Sequence, residues 1–102
     1  GWYTKIGNIV SVGFYVQYNS ATGTGPQRIA NLPFASGASA TYYVTGSIMT
    51  GSIDWPGGTM ITLYKPPGTT HFELYCSGDN IGWIQQTIDS AGEFMGACTY
   101  QV

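Results

Sequence analysis

Apolar and polar residues alternate along several stretches of the chain, a pattern that predicts β-strands. The longest alternating run places an apolar side chain at every second position between residues 10 and 18: Val10, Val12, Phe14, Val16 and Tyr18. Shorter runs predict further strands at 41–50, 60–65, 70–77 and 93–102. No stretch carries a convincing helical period, so the pattern indicates an all-β protein.

Turn signals separate these runs. Gly7-Asn8 lies between two short apolar runs and predicts a two-residue hairpin turn, because glycine supplies the positive φ that such a turn needs. Pro33 cannot donate to a sheet, so residues 27–34 form an edge strand or an irregular extended segment. Composition predicts loops or turns at 19–26, 35–40, 55–59, 66–69 and 78–83.

The repeated stretch TGSIMTGSID raises a question of register. Ile48 and Ile53 are separated by an odd number of residues, so one straight strand would send them to opposite faces. A bend or bulge near Gly51 would let both side chains point inward.

Together these signals predict seven or eight strands, with turns roughly every 8–12 residues, a spacing typical of a sandwich or jelly roll. A chain of 102 residues has the length of one domain rather than two. We therefore expect residues 1–102 to form a single antiparallel β-sandwich, jelly-roll-like in its connections.

The low charge of the chain excludes several classes of partner. Only 8% of residues are charged, the formal net charge is −2, and Lys5, Arg28 and Lys65 are the three cationic side chains. Phosphate binding requires clustered Lys and Arg, so we expect no nucleic-acid binding and no attraction to an anionic membrane surface. No apolar stretch approaches the roughly 20 residues that a membrane-spanning helix needs.

The cysteines and the histidine offer little metal chemistry. Cys76 and Cys98 both fall on predicted inward faces, which favours either buried thiols or a cross-strand disulfide, and the sequence leaves both open. A zinc site needs about four ligands, more than these two residues and His71 supply. We expect neither a metal nor a cofactor.

The inventory of catalytic groups is equally thin. His71 is the one histidine, and no serine lies in a Gly-x-Ser-x-Gly elbow. A glycosidase needs two paired carboxylates, and nothing in the spacing pairs the five acids of this chain. We therefore do not expect an enzyme.

Recognition of a ligand at the protein surface is the class of function that these exclusions leave. Trp55 and Trp83 each lie beside a predicted turn with polar neighbours. Aromatic faces stack on the C–H faces of sugars, while carboxylate and amide groups hydrogen-bond their hydroxyls. The candidate glycan-binding residues are Trp55, Trp83, Asp54, Asp79, Asn80 and His71. The alternative interpretation places each tryptophan in the core or in a subunit interface.

The strand faces opposite the predicted core are apolar instead of charged. A solitary sandwich would normally carry Lys and Glu there, partly to protect its edges. We therefore expect a homo-oligomer that covers these positions. The candidate interface residues are Tyr15, Tyr43, Met49, Met60, Tyr64, Tyr75 and Met95.

The opening motif GWYTKIGNIVSV resembles the C-terminal head domains of phage tail fibres and tailspikes, which often read Gly-x-Tyr-Thr-Lys-Ile-Gly-Asn-x-Val-x-Val. The resemblance continues through GTGPQRIANLPF, FELYCSG and GEFMGACTYQV, and so covers nearly the whole chain. Lys5, Gly7, Asn8 and Pro33 match and are interpreted as structural.

The resemblance implies a homotrimeric β-sandwich at the distal end of a longer fibre protein, on a virion or on a bacterial adhesive fibre. It implies recognition of a host-surface polysaccharide or lipopolysaccharide. The alternative is a purely structural domain that trimerises and caps the fibre, and a glycan-active enzyme is a distant third. No catalytic or glycan-binding residue carries over from the family by motif.

Overall fold

The computed structural model describes residues 1–39 and 42–102. Within these ranges the chain forms strands and turns, with no helix that could cross a membrane. The strands are β1 (Trp2–Ile6), β2 (Ile9–Tyr18), β3 (Arg28–Ile29), β4 (Val44–Gly51), β5 (Met60–Lys65), β6 (Phe72–Gly78), β7 (Ile81–Gln85) and β8 (Gly92–Gln101). The predicted all-β class and strand number are confirmed for the described residues.

All strand pairs are antiparallel, in one sheet of order β1-β2-β8-β4-β5-β6-β3, and β7 pairs with β6 beside β3, on the edge opposite β5. Strand β4 belongs to both halves of this sheet. Its first part, Val44–Gly46, pairs with β5, and its second part, Ser47–Gly51, pairs with β8. The sheet therefore curls at β4 into a half-barrel, in place of the two separate sheets of a sandwich.

The curled sheet has two layers that face each other across the core. We call β1, β2, β8 and the second part of β4 the first layer, and the first part of β4 with β5, β6, β7 and β3 the second layer. The rings of Phe14 and Tyr100, from the first layer, lie 5.9 and 6.4 Å from the ring of Phe72 in the second. The core is composed mainly of Val10, Val12, Leu32, Leu63, Phe72, Leu74, Phe94, Cys98 and Tyr100.

The predicted opening hairpin is confirmed. Gly7 adopts a φ of 60° in the turn, and the register pairs Ile6 with Ile9 and Trp2 with Gly13. Every residue of β1 is exposed. The strand contributes little to the core and presents Trp2 and Ile6 to solvent at 64% and 76% exposure.

The predicted bend after β4 is also confirmed. Ile48 and Ile53 both pack against the core. The change of direction occurs at Ser52, which has a φ of 57°, directly after Gly51 ends the strand. Because Ser52 is in the left-handed conformation, the chain turns there, and Ile53 points to the same side as Ile48 despite the odd spacing.

Two boundaries differ from the predictions. Residues 78–83 are not a loop: Asp79 and Asn80 form a tight turn, with Asn80 at a φ of 54°, and β7 begins immediately afterwards. Asparagine tolerates this left-handed conformation, so a hairpin forms without glycine in the turn. Strand β4 begins at Val44 instead of residue 41, although residues 40 and 41 lie outside the described ranges. The segment 27–34 agrees with its prediction: Arg28–Ile29 form a strand at the edge of the sheet, and the residues after it are irregular.

Both cysteines are buried and both are free thiols. Cys76 lies on β6 and Cys98 on β8, so they belong to different layers. Burial raises the pKa of Cys98 to about 11, while the charge of nearby Lys65 lowers it. The thiol interpretation of the sequence is thus the one found here.

Lys65 lies fully buried at the end of β5, without a carboxylate partner among the described residues. Its Nζ donates to Ser36 Oγ at 3.0 Å, to the Pro66 carbonyl at 3.1 Å and to Thr69 Oγ1 at 2.9 Å, and lies 5.2 Å from the ring centre of Tyr100. Burial lowers its pKa to about 8. Neutral oxygens thus hold this ammonium group and tie two loops to the core.

The curl at β4 depends on the absence of a side chain at Gly46. A Cβ there would collide with the backbone oxygen of Ala97 and lie 2.8 Å from Cys98 Cβ. We expect Gly46→Ala to lower the free energy of unfolding by about 1–3 kcal/mol, measured by urea denaturation, because the two layers must separate to accept the methyl group. The control Gly82→Ala has no atom within 4 Å of the new Cβ. An equal loss in both variants would contradict the role of Gly46.

Lys65 makes stability depend on pH. Its native pKa is about 8, whereas the ordinary value is 10.5, so the unfolded state binds more protons between these values. We expect the free energy of unfolding to rise by about 1 kcal/mol between pH 7 and 9. Above pH 9 the raised pKa of Cys98 opposes this rise. Urea unfolding at several pH values tests it: Lys65→Met should flatten the rise, and an unchanged slope would contradict the assignment.

Candidate functional site

A row of aromatic rings crosses the outward face of the second layer. Tyr43 stacks on Tyr64 with ring centres 6.2 Å apart. Tyr64 meets Tyr75 edge-on at 5.6 Å, and Tyr75 meets Trp83 edge-on at 6.5 Å. The row, which we call the aromatic ladder, therefore runs from the residue before β4 across β5 and β6 to β7.

Strand alternation explains why these rings face outward. On β5, Leu63 and Lys65 are fully buried, so the neighbouring Tyr64 points away from the core. On β6, Leu74 and Cys76 are fully buried and Tyr75 between them points outward. The segments that fill the core thus also display the ladder on their other side.

The ladder borders a shallow groove of about 380 Å³. Trp83 is 81% exposed and Tyr43 is 64% exposed, so their ring faces are open to a ligand. Hydroxyl groups lie between the rings. The groove is lined by Tyr43, Thr45, Met60, Thr62, Tyr64, Tyr75, Ser77 and Trp83.

A buried carboxylate organises the polar border of the groove. The Glu73 side chain is 11% exposed, and its Oε1 lies 3.3 Å from Arg28 Nη2 and 3.2 Å from His71 Nε2. Its Oε2 accepts hydrogen bonds from the Tyr75 hydroxyl at 3.0 Å and from Gln85 Nε2 at 3.4 Å. Glu73 thereby fixes four side chains beside the ladder and has little capacity left for a ligand.

The two central phenols of the ladder are held in their neutral form. Burial raises the pKa of Tyr75, and its hydrogen bond to Glu73 raises it further. Burial also raises the pKa of Tyr64, with the proximity of Tyr43 and Glu73 adding to the effect. Both hydroxyl groups therefore remain hydrogen-bonding groups without charge at neutral pH.

The outward face of the first layer forms a second apolar surface. Met95 on β8 is paired with Tyr15 on β2 and with Met49 on β4, and the indole of Trp2 lies over Gly13. Among the described residues, alternation places one charged side chain on this face, Glu93, whose carboxylate accepts a hydrogen bond from the Tyr15 hydroxyl at 2.8 Å. We call this surface the first-layer patch; its most exposed members are Trp2, Ile6, Ile9, Tyr15 and Met49.

The seven predicted interface residues therefore do not share one surface. Tyr15, Met49 and Met95 lie on the first-layer patch. The others lie in the groove of the second layer: Tyr43, Met60, Tyr64 and Tyr75. The sequence could not separate the two groups, because both occupy outward positions of alternating strands.

The six predicted glycan-binding residues are similarly dispersed. Trp83 is part of the aromatic ladder, and His71 lies on the polar border through its contact with Glu73. Asp79 and Asn80 form the exposed turn between β6 and β7, the strands that carry Ser77 and Trp83.

Trp55 and Asp54 lie elsewhere. The Trp55 Nε1 donates to Thr50 Oγ1 at 3.0 Å, near the end of β4 that pairs with β8. The backbone nitrogen of Asp54 donates to Asp89 Oδ2 at 2.9 Å, and its carbonyl accepts from Gln86 Nε2 at 2.9 Å. Trp55 is therefore held against β4 and is not among the residues that line the groove.

Several residues of the groove were missed by sequence reasoning. Thr45, Thr62 and Ser77 line it, and Arg28 and Gln85 stand on its border. A usable signal was present in MITLYK and FELYCS, where polar and aromatic residues alternate with the core residues. Arg28 carried no such signal, because its place depends on the pairing of the two-residue strand β3 with β6.

Residues 1–39 and 42–102 contain no group of three or more His, Cys, Asp or Glu side chains that could hold a metal ion. Glu73 and His71 are the nearest approach to such a group, and Arg28 and Tyr75 occupy the same carboxylate. The residues that line the groove present aromatic rings and hydroxyl groups.

Comparison with known proteins gives no relative: no family model, curated protein or solved structure matches the chain.

Proposed function

We propose that this chain is a glycan-binding attachment domain of the fibre-tip kind, which works as a homotrimer and recognises a polysaccharide or lipopolysaccharide of a host cell surface. The aromatic ladder is the observation that carries the proposal. Open rings beside hydroxyl and amide groups provide the two contacts that sugars use, stacking of C–H faces and hydrogen bonding of hydroxyls.

The resemblance of the opening motif to tail-fibre and tailspike head domains supports the fibre-tip part of the proposal, with a place at the tip of a virion fibre or of a cell-surface fibre. In this proposal the groove binds a glycan without catalysing a reaction on it, since its buried carboxylate is engaged by side chains of its own chain.

The first-layer patch supports self-association. It exposes large apolar side chains on adjacent strands, and its outward charge is restricted to one hydrogen-bonded glutamate. A surface with a single, hydrogen-bonded charge is suited to being covered by another copy, because little charge loses its hydration on association. In this arrangement the groove on the opposite layer remains open in every subunit, and three weak sites on one rigid head gain avidity.

A purely structural trimerising and capping role is the second candidate. The exposed β1 and the first-layer patch favour it, since both are explained by assembly alone. The two functions differ in whether the groove has a ligand.

The glycan proposal is tested on an array of immobilised bacterial O-chain and capsular polysaccharides. We expect binding to a subset of them, and we expect Trp83→Ala to weaken it at least about tenfold by removing the most exposed stacking face. Trp55→Ala is the matched control and should bind like the parent, because Trp55 lies outside the groove. Silence across the array, or an equal loss in both variants, would contradict the proposed site.

The assembly proposal is tested by sedimentation equilibrium at micromolar concentration. We expect three times the 10.9 kDa mass of the chain. Met49→Lys places a charge in the first-layer patch and should yield monomers, whereas Met60→Lys, at a similarly exposed methionine of the groove, should leave the trimer intact. A stable folded monomer of the parent protein would refute the assembly.

A further inference from the structure

The three cationic side chains are each engaged by groups of the chain itself. Arg28 stands on the border with its side chain 51% exposed, but its guanidinium is paired with Glu73 at 3.3 Å. Lys5 lies over the ring of Phe34, and Lys65 is buried in its cage of neutral oxygens. The described part of the chain therefore offers the groove no cation without a carboxylate beside it.

A further negative charge lies at the other end of the groove. Asp79 is exposed in the turn between the strands that carry Ser77 and Trp83. With Glu73 on one border and Asp79 at this end, the carboxylates outnumber the one guanidinium. The net charge of −2 on the whole chain adds no compensating attraction for an anion.

The polar atoms facing the groove both donate and accept hydrogen bonds. Thr45, Thr62 and Ser77 supply hydroxyls, which do both. The Tyr75 oxygen can accept, because its proton is directed to Glu73, and the side-chain carbonyl of Gln85 can accept while its amide nitrogen donates to Glu73. Sugar hydroxyls match this mixture, whereas a carboxylate or phosphate would meet acceptors and buried negative charge.

From this arrangement we infer that the groove binds an uncharged stretch of glycan and discriminates against glycan chains that carry carboxylate or phosphate groups. The inference rests on the proposed function and names its ligand class: neutral sugar units whose C–H faces stack on the aromatic ladder. Glu73 is a specificity-determining residue, since its carboxylate occupies the Arg28 guanidinium that would otherwise pair with an anion. The preference follows because no unpaired cation of the described residues faces the groove, so it holds for neutral repeat units regardless of their linkage.

The test compares each acidic polysaccharide with its own neutral form. Uronic-acid-containing bacterial polysaccharides are immobilised before and after carbodiimide-mediated reduction of their carboxyl groups to alcohols, alongside naturally neutral O-chains. Chain length and linkage stay the same within each pair. We expect the parent protein to bind neutral O-chains and to bind reduced chains at least about tenfold more tightly than the acidic originals, because a carboxylate entering the groove loses hydration without gaining an unpaired cation.

Two variants move the preference in opposite directions. Glu73→Gln keeps the shape of the side chain, removes the negative charge and leaves Arg28 without its ion pair. This variant should bind acidic chains better, so the difference in affinity between reduced and acidic chains should become smaller. Arg28→Gln removes the cation and should make the difference in affinity between reduced and acidic chains larger. The two substitutions act on the same pair of charges, so each checks the other if one of them unfolds the protein.

The outcomes distinguish a failure of this inference from a failure of the proposed glycan-binding function. Binding to acidic chains that is lost on reduction would overturn the inference and leave glycan recognition standing. Equal binding to both forms, unchanged in either variant, would also overturn it. No binding to any polysaccharide on the array would remove the proposed function and the inference together.

Discussion

The shape of this domain depends on one strand that serves two layers. Strand β4 pairs with β5 up to Gly46 and with β8 from Ser47 onward, so the sheet must fold at that point. Only a residue without a side chain permits the close approach of Gly46 to the backbone of Ala97. Once the sheet is folded, strand alternation assigns each side chain to the shared core or to one of two outward faces.

Those two outward faces differ in chemistry, and the difference supports separate roles. The first-layer patch combines large apolar side chains with a near absence of charge, as a surface covered by another copy requires. The second layer carries rings separated by hydroxyls, with Glu73 holding Arg28, Tyr75 and Gln85 at the border. A subunit interface would have little use for this polar network, whereas a sugar ligand matches the rings and hydroxyls beside it.

Local pattern predicted the parts of this structure that local physics determines. Alternation predicts inward positions for Cys76 and Cys98, and both are buried. The Gly7-Asn8 turn and the bend between Ile48 and Ile53 also follow from neighbouring residues. The predictions that were wrong concern features that depend on pairing between distant strands. Tyr15 and Tyr75 have the same outward, alternating environment in the sequence, and only the strand order shows that they lie on different layers. The sequence predicts Trp83 in a loop, whereas it lies on β7, because Asn80 adopts the left-handed conformation of a tight hairpin turn that contains no glycine.

The central claim is that a glycan lies on the aromatic ladder. The chain has three tryptophans, so a nitrogen–proton correlation spectrum of the ¹⁵N-labelled protein has three indole signals, one for each. Titration with a polysaccharide that binds on the array should shift the indole signal of Trp83 and leave those of Trp55 and Trp2 in place. A shift confined to Trp55 or Trp2, with Trp83 unmoved, would show that the sugar is recognised elsewhere and would contradict the account.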